Sequence, residues 1–308
     1  MLLGPAIGED ACVIEVPKGA VIVATDPITL TSRAIGKLGV IINGNDVAVM
    51  GVRPRWFLAV ILLPPGSSPG VVREIFATMR DGLDELGAFL VGGHTEVTQA
   101  VTQPVLIGQM IGVSGRGRFV STGGARPGDV LVQVGRAPVE GTALLASEAA
   151  DRLGSLPAKV LEAARGAFED PGVSIVEPAL LAAELGATAM HDPTEGGLAA
   201  GLHEIGIAAG VALSIDTEAI LWFEPGLAVC EMLDANPWAT LASGTLMATF
   251  PRDSSDRAIG ELTDRGHDVA VIGSVRKGAG VWDQTGAPIP WLERDEVART
   301  LEGRGGQI

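Results

Sequence analysis

The chain has 308 residues, of which 47% are hydrophobic and 19% charged, so it can bury a large core and general disorder is excluded. Its 22 basic and 37 acidic residues give a formal net charge of −15, which repels a phosphate backbone and excludes nucleic acid as an expected partner. Tyrosine is absent and aromatic residues make up only 4%, so few rings can stack on bases. An acidic protein still binds nucleotides when Mg²⁺ lies between its carboxylates and the phosphates.

The cysteine content indicates a reducing compartment. Cys12 and Cys230 are the only cysteines and lie far apart, which excludes a disulfide framework and a cysteine-based zinc site. The longest apolar run, residues 57–63, is too short to span a membrane. Residues 1–5 do not have the pattern of a signal peptide. We therefore expect a cytoplasmic protein with no membrane partner.

The first half of the chain alternates between strand and helix patterns. Two short β-type runs come first, followed by a long helical pattern, a strand, an amphipathic helix and two more strands. These segments are predicted at 12–16, 20–24, 32–50, 56–63, 70–86, 89–91 and 104–113. A stretch rich in Gly, Arg, Ser and Thr then follows at 115–128. That composition is typical of a domain boundary.

The second half repeats the alternation. Helices are predicted at 140–153, 158–168, 175–185 and 196–209, and strands at 130–134, 211–215, 244–250 and 268–272. The last thirty or so residues carry a hairpin signal at 283–286 and a charged end, which indicate a peripheral segment. The predicted fold class is therefore α/β (α+β), with domains at 1–118 and 119–276 and a C-terminal extension at 277–308.

Standard nucleotide and hydrolase motifs are missing from the sequence. There is no G-x-x-x-x-G-K-[ST], no G-x-G-x-x-G opening a helix after a strand, no G-x-S-x-G and no H-E-x-x-H. Acidic residues at strand ends are the remaining candidates, because carboxylates there are well placed to hold a hard cation. Asp10 precedes the first predicted strand and Asp26 follows the second. For each of these two, a turn or helix-cap role is equally open.

Asp46 differs because it lies late in a helical segment that is mostly apolar. Burying an unpaired carboxylate in such a helix costs several kcal/mol. Pairing or metal binding is therefore the favoured interpretation of Asp46. The alternative is a solvated break in the helix at Gly44.

Two further segments combine glycines with polar side chains. Gly92-Gly93-His94-Thr95-Glu96 leaves a predicted strand through two glycines; these let a ligand approach the backbone closely, although two glycines often mark only a turn. His191-Asp192-Pro193-Thr194-Glu195-Gly196-Gly197-Leu198 reads as a capping box, with Asp192 as the cap and Glu195 reaching back. A helix N-terminus preceded by small residues is also a natural phosphate site, so both interpretations stay open for this segment.

Taken together and in order, six segments of this sequence resemble the AIR synthase superfamily. They are Gly8-Glu9-Asp10-Ala11, Thr25-Asp26, Asn45-Asp46-Val47-Ala48-Val49-Met50-Gly51-Val52-Arg53-Pro54, Gly92-Gly93-His94-Thr95-Glu96, Ala125-Arg126-Pro127-Gly128-Asp129 and Asp192-Pro193-Thr194-Glu195-Gly196-Gly197-Leu198. The likeness runs from about residue 4 to about residue 275. Within the superfamily the sequence is most similar to the branch of the hydrogenase maturation protein HypE.

The resemblance implies a two-domain PurM-like fold and a set of site residues. The N-terminal domain would pair its sheet across a homodimer and bind ATP through Mg²⁺, and a C-terminal α/β domain would close over the phosphates. The implied metal ligands are Asp10, Asp26, Asp46 and Asp192. The implied nucleotide contacts are Asp26, Asn45, Gly93, His94, Thr95, Gly196 and Gly197. The apolar segment 56–63 also points to a homodimer. As an edge strand it would invite aggregation unless it paired with another strand.

The resemblance also implies a reaction, Mg-ATP-dependent phosphoryl transfer in which a carbonyl, carboxylate or phosphate oxygen attacks the γ-phosphate. His94 and Glu96 are the implied catalytic residues. Two roles are open for His94. It either acts as an acid or base, since an imidazole titrates near pH 6.5, or only contacts the nucleotide. The substrate is an unknown small molecule or protein, and a role in hydrogenase or metalloenzyme maturation is implied.

Two other functions stay open. One is a non-catalytic nucleotide-binding dimeric assembly factor. The other is a small-molecule kinase resembling thiamine monophosphate kinase or selenophosphate synthetase. HypE ends in a cysteine that receives a carbamoyl group, whereas no cysteine follows Cys230 here. We therefore expect that this chain does not form a nitrile on its own C-terminus.

Overall fold

A computed structural model describes residues 1–31, 33–115, 117–292 and 294–302. The chain divides into two compact units, of which unit 1 contains residues 1–5 and 10–119 and unit 2 contains residues 6–9 and the chain from Val120 onward. The expectation about a terminal cysteine concerns residues that lie outside the described part of the chain. The predicted domain boundaries at 118 and 276 stay predictions.

The described residues of unit 1 form one six-stranded mixed sheet and two helices. The strands are β1 (Cys12–Val16), β2 (Gly19–Ala24), β3 (Pro27–Ile28), β4 (Pro54–Leu63), β5 (Phe89–Val97) and β6 (Val105–Ser114), and the helices are α1 (Ile35–Val49) and α2 (Pro69–Leu86). The sheet order is β1-β2-β6-β4-β5, and β3 also pairs with β6. β4 and β5 run parallel, whereas the other pairs are antiparallel.

The two helices form because their sequences carry the required patterns and ends. Ser68 caps α2, its Oγ accepting the Val71 N–H at 3.5 Å, and Gly87 ends the helix in a left-handed conformation with φ 65°. The periodic positions of α2, Ile75 and Met79 among them, are buried. α1 is buried along almost its whole length because it packs against both α2 and the sheet. Both predicted helices are therefore confirmed, with α1 beginning at Ile35.

The strand that the sequence suggested as an edge is not at an edge of this sheet. β4 lies between β5 and β6, so the interpretation of residues 56–63 as an edge strand is wrong. β1 and β5 are at the two ends of the strand order, and every residue of β5 is exposed in the single chain. The sequence pattern ended this strand at Val91, but pairing with β4 extends it to Val97.

The described residues of unit 2 form a second six-stranded sheet surrounded by helices. Its strands are β7 (Val130–Val134), β8 (Ala189–His191), β9 (Ala212–Ile215), β10 (Leu246–Phe250), β11 (Val269–Arg276) and β12 (Gly280–Asp283). Its helices are α3 (Glu140–Glu148), α4 (Ala158–Arg165), α5 (Val176–Glu184), α6 (Gly197–Ala209), α7 (Glu224–Leu233), α8 (Arg252–Asp264) and α9 (Glu296–Leu301). The sheet order is β12-β9-β11-β7-β10-β8. The two sheets with their helices confirm a mixed α/β fold.

Described residues after position 276 contribute to the core of unit 2. β12 pairs parallel with β9, and the side chains of Val281, Ile289 and Val297 are buried. The predicted hairpin turn is present, because the Asp283 carboxylate accepts the backbone N–H groups of Thr285 and Ala287. The description of this segment as peripheral is therefore corrected by its burial. Among the residues that the structure describes, no helix is long and apolar enough to cross a membrane.

Candidate functional site

In unit 1, Asp26 is held by its backbone at the end of β2. The Asp26 N–H donates to Asn43 Oδ1 at 2.8 Å, and Asn43 Nδ2 donates to the Asp26 carbonyl oxygen at 3.2 Å and to the Gly39 carbonyl oxygen at 2.9 Å. The Gly108 N–H also donates to the Asp26 carbonyl oxygen, at 2.9 Å. Asn43 is completely buried. No local signal in the sequence marks Asn43, although it lies three residues before Asp46.

Gly108 makes room for this arrangement. A Cβ at this position of β6 would collide with the Asn43 amide nitrogen and would also lie 2.8 Å from the Phe57 ring. The Thr25 hydroxyl donates to the Gly108 carbonyl oxygen at 2.7 Å. The turn after β2 is thus fixed from both α1 and β6.

Asp46 lies one helical turn beyond Asn43 and therefore on the same face of α1. Its side chain is buried, with the residue 5% exposed, and its neighbour Asn45 is completely buried. The helix continues unbroken through Gly44, which is itself buried. The alternative of a solvated break at Gly44 is therefore excluded, and the Asp46 carboxylate belongs to the interior of unit 1.

The β1–β2 hairpin brings Asp10 to the same end as Asp26. Cys12 is the partner of Val23 in the antiparallel register, so the residues that precede Cys12 and those that follow Val23 meet at one end of the hairpin. Asp10 and Asp26 are both half-buried there. In the described part of the chain, no three His, Cys, Asp or Glu side chains are grouped closely enough to hold a metal ion. The metal-ligand set therefore stays a prediction.

The segment from Gly93 to Glu96 forms part of β5, which corrects the prediction that it leaves the strand. Gly93 has φ +150°, and a Cβ there would collide with the Ala59 carbonyl oxygen on β4, so only glycine fits this register. His94 Nε2 lies 3.8 Å from Glu96 Oε2, with the two side chains 66% and 51% exposed. Both groups can therefore be reached by a ligand, and their catalytic roles stay predictions.

A pocket of ≈ 220 Å³ lies between α2 and β5. It is lined by Phe76 of α2, by Ala59 and Ile61 of β4, and by residues of β5 that include Gly93, His94 and Thr95. Three of the predicted nucleotide contacts therefore border one concave surface of unit 1.

In unit 2, the segment from His191 to Gly197 connects β8 to α6. Asp192 is 1% exposed, and the His191 Nε2 lies 2.8 Å from the Glu204 carboxylate on α6. α6 begins at Gly197, and its N-cap residue Gly196 has φ 81° and no side-chain cap within its own segment. The interpretation of Asp192 as the helix cap is therefore wrong.

The two glycines at the start of α6 are required by their surroundings. Gly197 has φ +63°, and a Cβ there would lie 2.6 Å from the Trp238 carbonyl oxygen and 2.7 Å from that of Thr240. The Gly196 N–H donates to the Asp295 carboxylate at 2.9 Å. Asp295 was not predicted from the sequence, because no local pattern joins two residues 99 positions apart.

Glu9 has a structural role within unit 2. Its carboxylate oxygens accept the backbone N–H groups of Thr122 and Gly123 at 3.2 and 3.0 Å. Gly8, with φ +82°, lies so close to Glu204 that a Cβ would be 2.6 Å from the Glu204 carbonyl oxygen. The glycine and the glutamate of this motif thus fix residues 6–9 to unit 2, whereas Asp10 belongs to unit 1.

These observations define a protein with two mixed α/β domains. Residues 8–114 match the N-terminal domain of AIR synthase related proteins, and residues 126–282 match their C-terminal domain. The chain therefore belongs to the AIR synthase related family, as its sequence motifs predicted.

Individual relatives carry more specific names. The carbamoyl dehydratase HypE of Rhodobacter capsulatus is 30% identical over 251 residues, which cover 80% of this chain and 71% of that protein. The thiamine-monophosphate kinase of Corynebacterium glutamicum is 29% identical over 281 residues, covering 85% of this chain and 82% of that one. The crystal structure of the hydrogenase maturation protein HypE in complex with ATP shares the fold, with a TM-score of 0.76, 24% identity and coverage of 96% and 92% of the two chains.

Proposed function

We propose that this protein is an Mg-ATP-dependent enzyme that activates an oxygen atom of its substrate by phosphoryl transfer. The observation that carries the proposal is the pairing of Asn43 with the backbone of Asp26, which fixes this aspartate at the end of the β1–β2 hairpin that also carries Asp10. The membership in the AIR synthase related family and the carbamoyl dehydratase relative support it.

The donor chemistry of the proposed metal ligands fits Mg²⁺. Asp10, Asp26, Asp46 and Asp192 offer only carboxylate oxygens, which are the protein ligands that this cation prefers. Asp46 and Asp192 are 5% and 1% exposed, and a cation stabilises carboxylates that have lost their contact with water. When bound, Mg²⁺ would neutralise charge on the ATP phosphates.

The remaining residues would bind and orient the nucleotide. We assign nucleotide contacts to Asn45, to Gly93, His94 and Thr95 on β5, and to Gly196 and Gly197 at the start of α6. The exposed imidazole of His94 and the carboxylate of Glu96, 3.8 Å apart, would move the proton as the substrate oxygen is phosphorylated.

The carbamoyl dehydratase relative indicates a carboxamide as the substrate class. In such a reaction the carboxamide oxygen attacks the γ-phosphorus and ADP leaves. Loss of phosphate and of the two nitrogen-bound protons then gives a nitrile, so that the carboxamide oxygen ends in the phosphate. No water is consumed, because the carboxamide supplies the oxygen that hydrolysis of ATP would take from water.

The second candidate function is a small-molecule kinase, which the thiamine-monophosphate kinase relative favours. In that case a phosphate oxygen of the substrate attacks the γ-phosphorus and the phosphoryl group stays on the product. The two functions share the nucleotide site and differ in where the phosphoryl group goes.

Turnover with two probes separates these functions. The protein is incubated with MgATP and either an S-alkyl thiocarbamate or thiamine monophosphate, and ADP, inorganic phosphate and organic products are measured. Nitrile and phosphate from the thiocarbamate support the dehydratase, whereas a phosphorylated thiamine product with no free phosphate supports the kinase. Binding of MgATP without ADP formation from either probe would contradict both and favour a non-catalytic assembly factor.

We also propose that the protein is a homodimer formed through unit 1. The edge strand β5 exposes apolar side chains that include Phe89, Val91 and Val97, which are 67%, 55% and 60% exposed. An unpaired apolar edge strand favours association with another strand. A second copy offers the same surface, as in most symmetric oligomers. The cytoplasmic location expected from the cysteine content stays a prediction.

A further inference from the structure

The Asp295 carboxylate bridges the N-termini of two helices in unit 2. Its Oδ2 accepts the Gly196 N–H at 2.9 Å, and its Oδ1 accepts the Val297 N–H at 2.7 Å. Gly196 is the N-cap residue of α6 and Asp295 is the N-cap residue of α9. Asp295 is 7% exposed. One buried carboxylate therefore satisfies donors at the positive ends of both helices.

Ile289 and Trp291, which precede Asp295 in the chain, both contact α6. His203 Nε2 lies 2.8 Å from the Ile289 carbonyl oxygen. The His203 ring also stacks on Trp291, with ring centroids 5.5 Å apart and an angle of 17° between the planes. Ile289 and Trp291 thus lie beside the middle of α6, and the Asp295 carboxylate lies at Gly196, at the start of the same helix.

We propose that Asp295 sets the nucleotide affinity of this protein by competing with a nucleotide phosphate for the Gly196 N–H. The inference rests on the proposed function, in which Gly196 and Gly197 contact the nucleotide. A carboxylate and a phosphate are both anionic acceptors for a donor at a helix N-terminus, so they cannot hold one N–H together. A buried carboxylate also repels a phosphate at short range. The nucleotide must therefore displace or neutralise Asp295.

Protonation of Asp295 should weaken this competition. Burial raises the pKa of Asp295 to about 6, although the backbone N–H groups of Gly196 and Val297 favour its charged form. The titratable groups that interact with Asp295 are Glu195 before α6 and Cys230 on α7. Glu296 and Arg299 follow it on α9, and α3, which packs against α9, carries Glu140 and Glu148. As the pH falls through about 6, the carboxylate becomes neutral and repels the phosphate less. MgATP should therefore bind relatively more tightly at pH 5.5 than at pH 7.5.

The test measures the Kd of MgATP by titration calorimetry on full-length wild type and on Asp295→Asn, at both pH values. The matched control is Asp283→Asn, which makes the same change at a half-buried aspartate that accepts the backbone N–H groups of its own turn. We expect Asp295→Asn to lower Kd at least about 5-fold at pH 7.5, the effect of a single hydrogen bond. We expect the control to stay within about 2-fold of wild type. The ratio of the wild-type Kd to the Asp295→Asn Kd should be smaller at pH 5.5 than at pH 7.5, because protonation already weakens the competition in wild type. The Asp283→Asn control, measured at both pH values, also corrects for the titration of ATP.

Trp291→Ala provides a second variant that leaves the carboxylate in place but loosens its attachment to α6. Trp291→Ala should also lower the Kd of MgATP. It tests the competition for the Gly196 N–H if Asp295→Asn does not fold. An unchanged or higher Kd in the folded variants would overturn the competition. Failure of wild type to bind MgATP at either pH would instead overturn the proposed function, and this inference with it.

Discussion

The Asn43 side-chain amide forms a closed pair of hydrogen bonds with the backbone N–H and carbonyl of Asp26. Gln133 makes the same pair with the backbone of Leu221 in unit 2, at 3.1 and 3.0 Å. Both amides are completely buried. The same pair of hydrogen bonds therefore fixes a loop in each unit. In our proposal only the Asn43 pair positions a ligand of the metal.

Asn43→Ala should weaken MgATP binding more than it weakens the fold. The substitution leaves buried backbone groups of Asp26 and Gly39 without this partner, at a cost of about 1–3 kcal/mol in the free energy of unfolding. The loop that carries the Asp26 carboxylate should then sample other positions, so the Kd of MgATP should rise at least about 10-fold. Urea unfolding and nucleotide titration measure the two effects.

Gln133→Ala is the matched control for Asn43→Ala, because it removes the same hydrogen-bond pattern from unit 2. It should lower the free energy of unfolding by a similar amount and leave the Kd of MgATP within about 2-fold of wild type. Equal losses of nucleotide affinity in the two variants would show that Asn43 acts through stability alone.

A charge on the edge strand should separate the dimer. Phe89 is 67% exposed in the single chain, so Phe89→Glu should cost little folding free energy but should place two like charges in a symmetric interface. Light scattering should give about twice 31.6 kDa for wild type and a lower mass for the variant. Ile207→Glu, at an exposed position of α6, is the control and should stay dimeric. A monomeric wild type would contradict the proposal.

Cys230 should be unreactive in the folded protein. Burial raises the pKa of its thiol to about 11, with further increases from nearby Glu296 and Asp295 and a partial offset from the Thr240 hydrogen bond. At pH 8 its thiolate fraction is roughly one in a thousand, and the thiolate is the reactive form. Titration with a thiol reagent should therefore detect at most one cysteine in native protein and two in denaturant. A rapid reaction of Cys230, located by mass spectrometry, would contradict this expectation and make it a candidate carbamoyl acceptor.

The sequence was most informative where structure depends on local pattern. The spacing of Ile75 and Met79, with Ser68 before and Gly87 after them, predicted α2 because all of its signals lie within the helix or beside it. The fold class and the family were predicted in the same way, from short sequence motifs that occur in the family's order along the chain.

The errors arose where distant parts of the chain decide the conformation. The local signals around Asp192 fit a helix cap, but α6 begins at Gly197, because Gly196 and Gly197 both have left-handed backbone conformations and Asp295 supplies the acceptor from 99 residues away. In β5, the two glycines predicted a turn, yet pairing with β4 continues the strand to Val97. Asn43 was missed for the same reason, because its partner is the backbone of another element.

The most direct test of the proposed Mg-ATP site is titration calorimetry of wild type and Asp46→Asn with ATP, with and without Mg²⁺. Asp129→Asn is the control, because Asp129 is equally buried but accepts the Arg126 N–H and the Thr188 hydroxyl in unit 2. We expect ATP binding to wild type and to Asp129→Asn to require Mg²⁺, and the Kd of MgATP to rise at least about 10-fold in Asp46→Asn, since a neutral amide is a weaker magnesium ligand than a carboxylate. Equally tight MgATP binding by wild type and a folded Asp46→Asn would contradict the assignment.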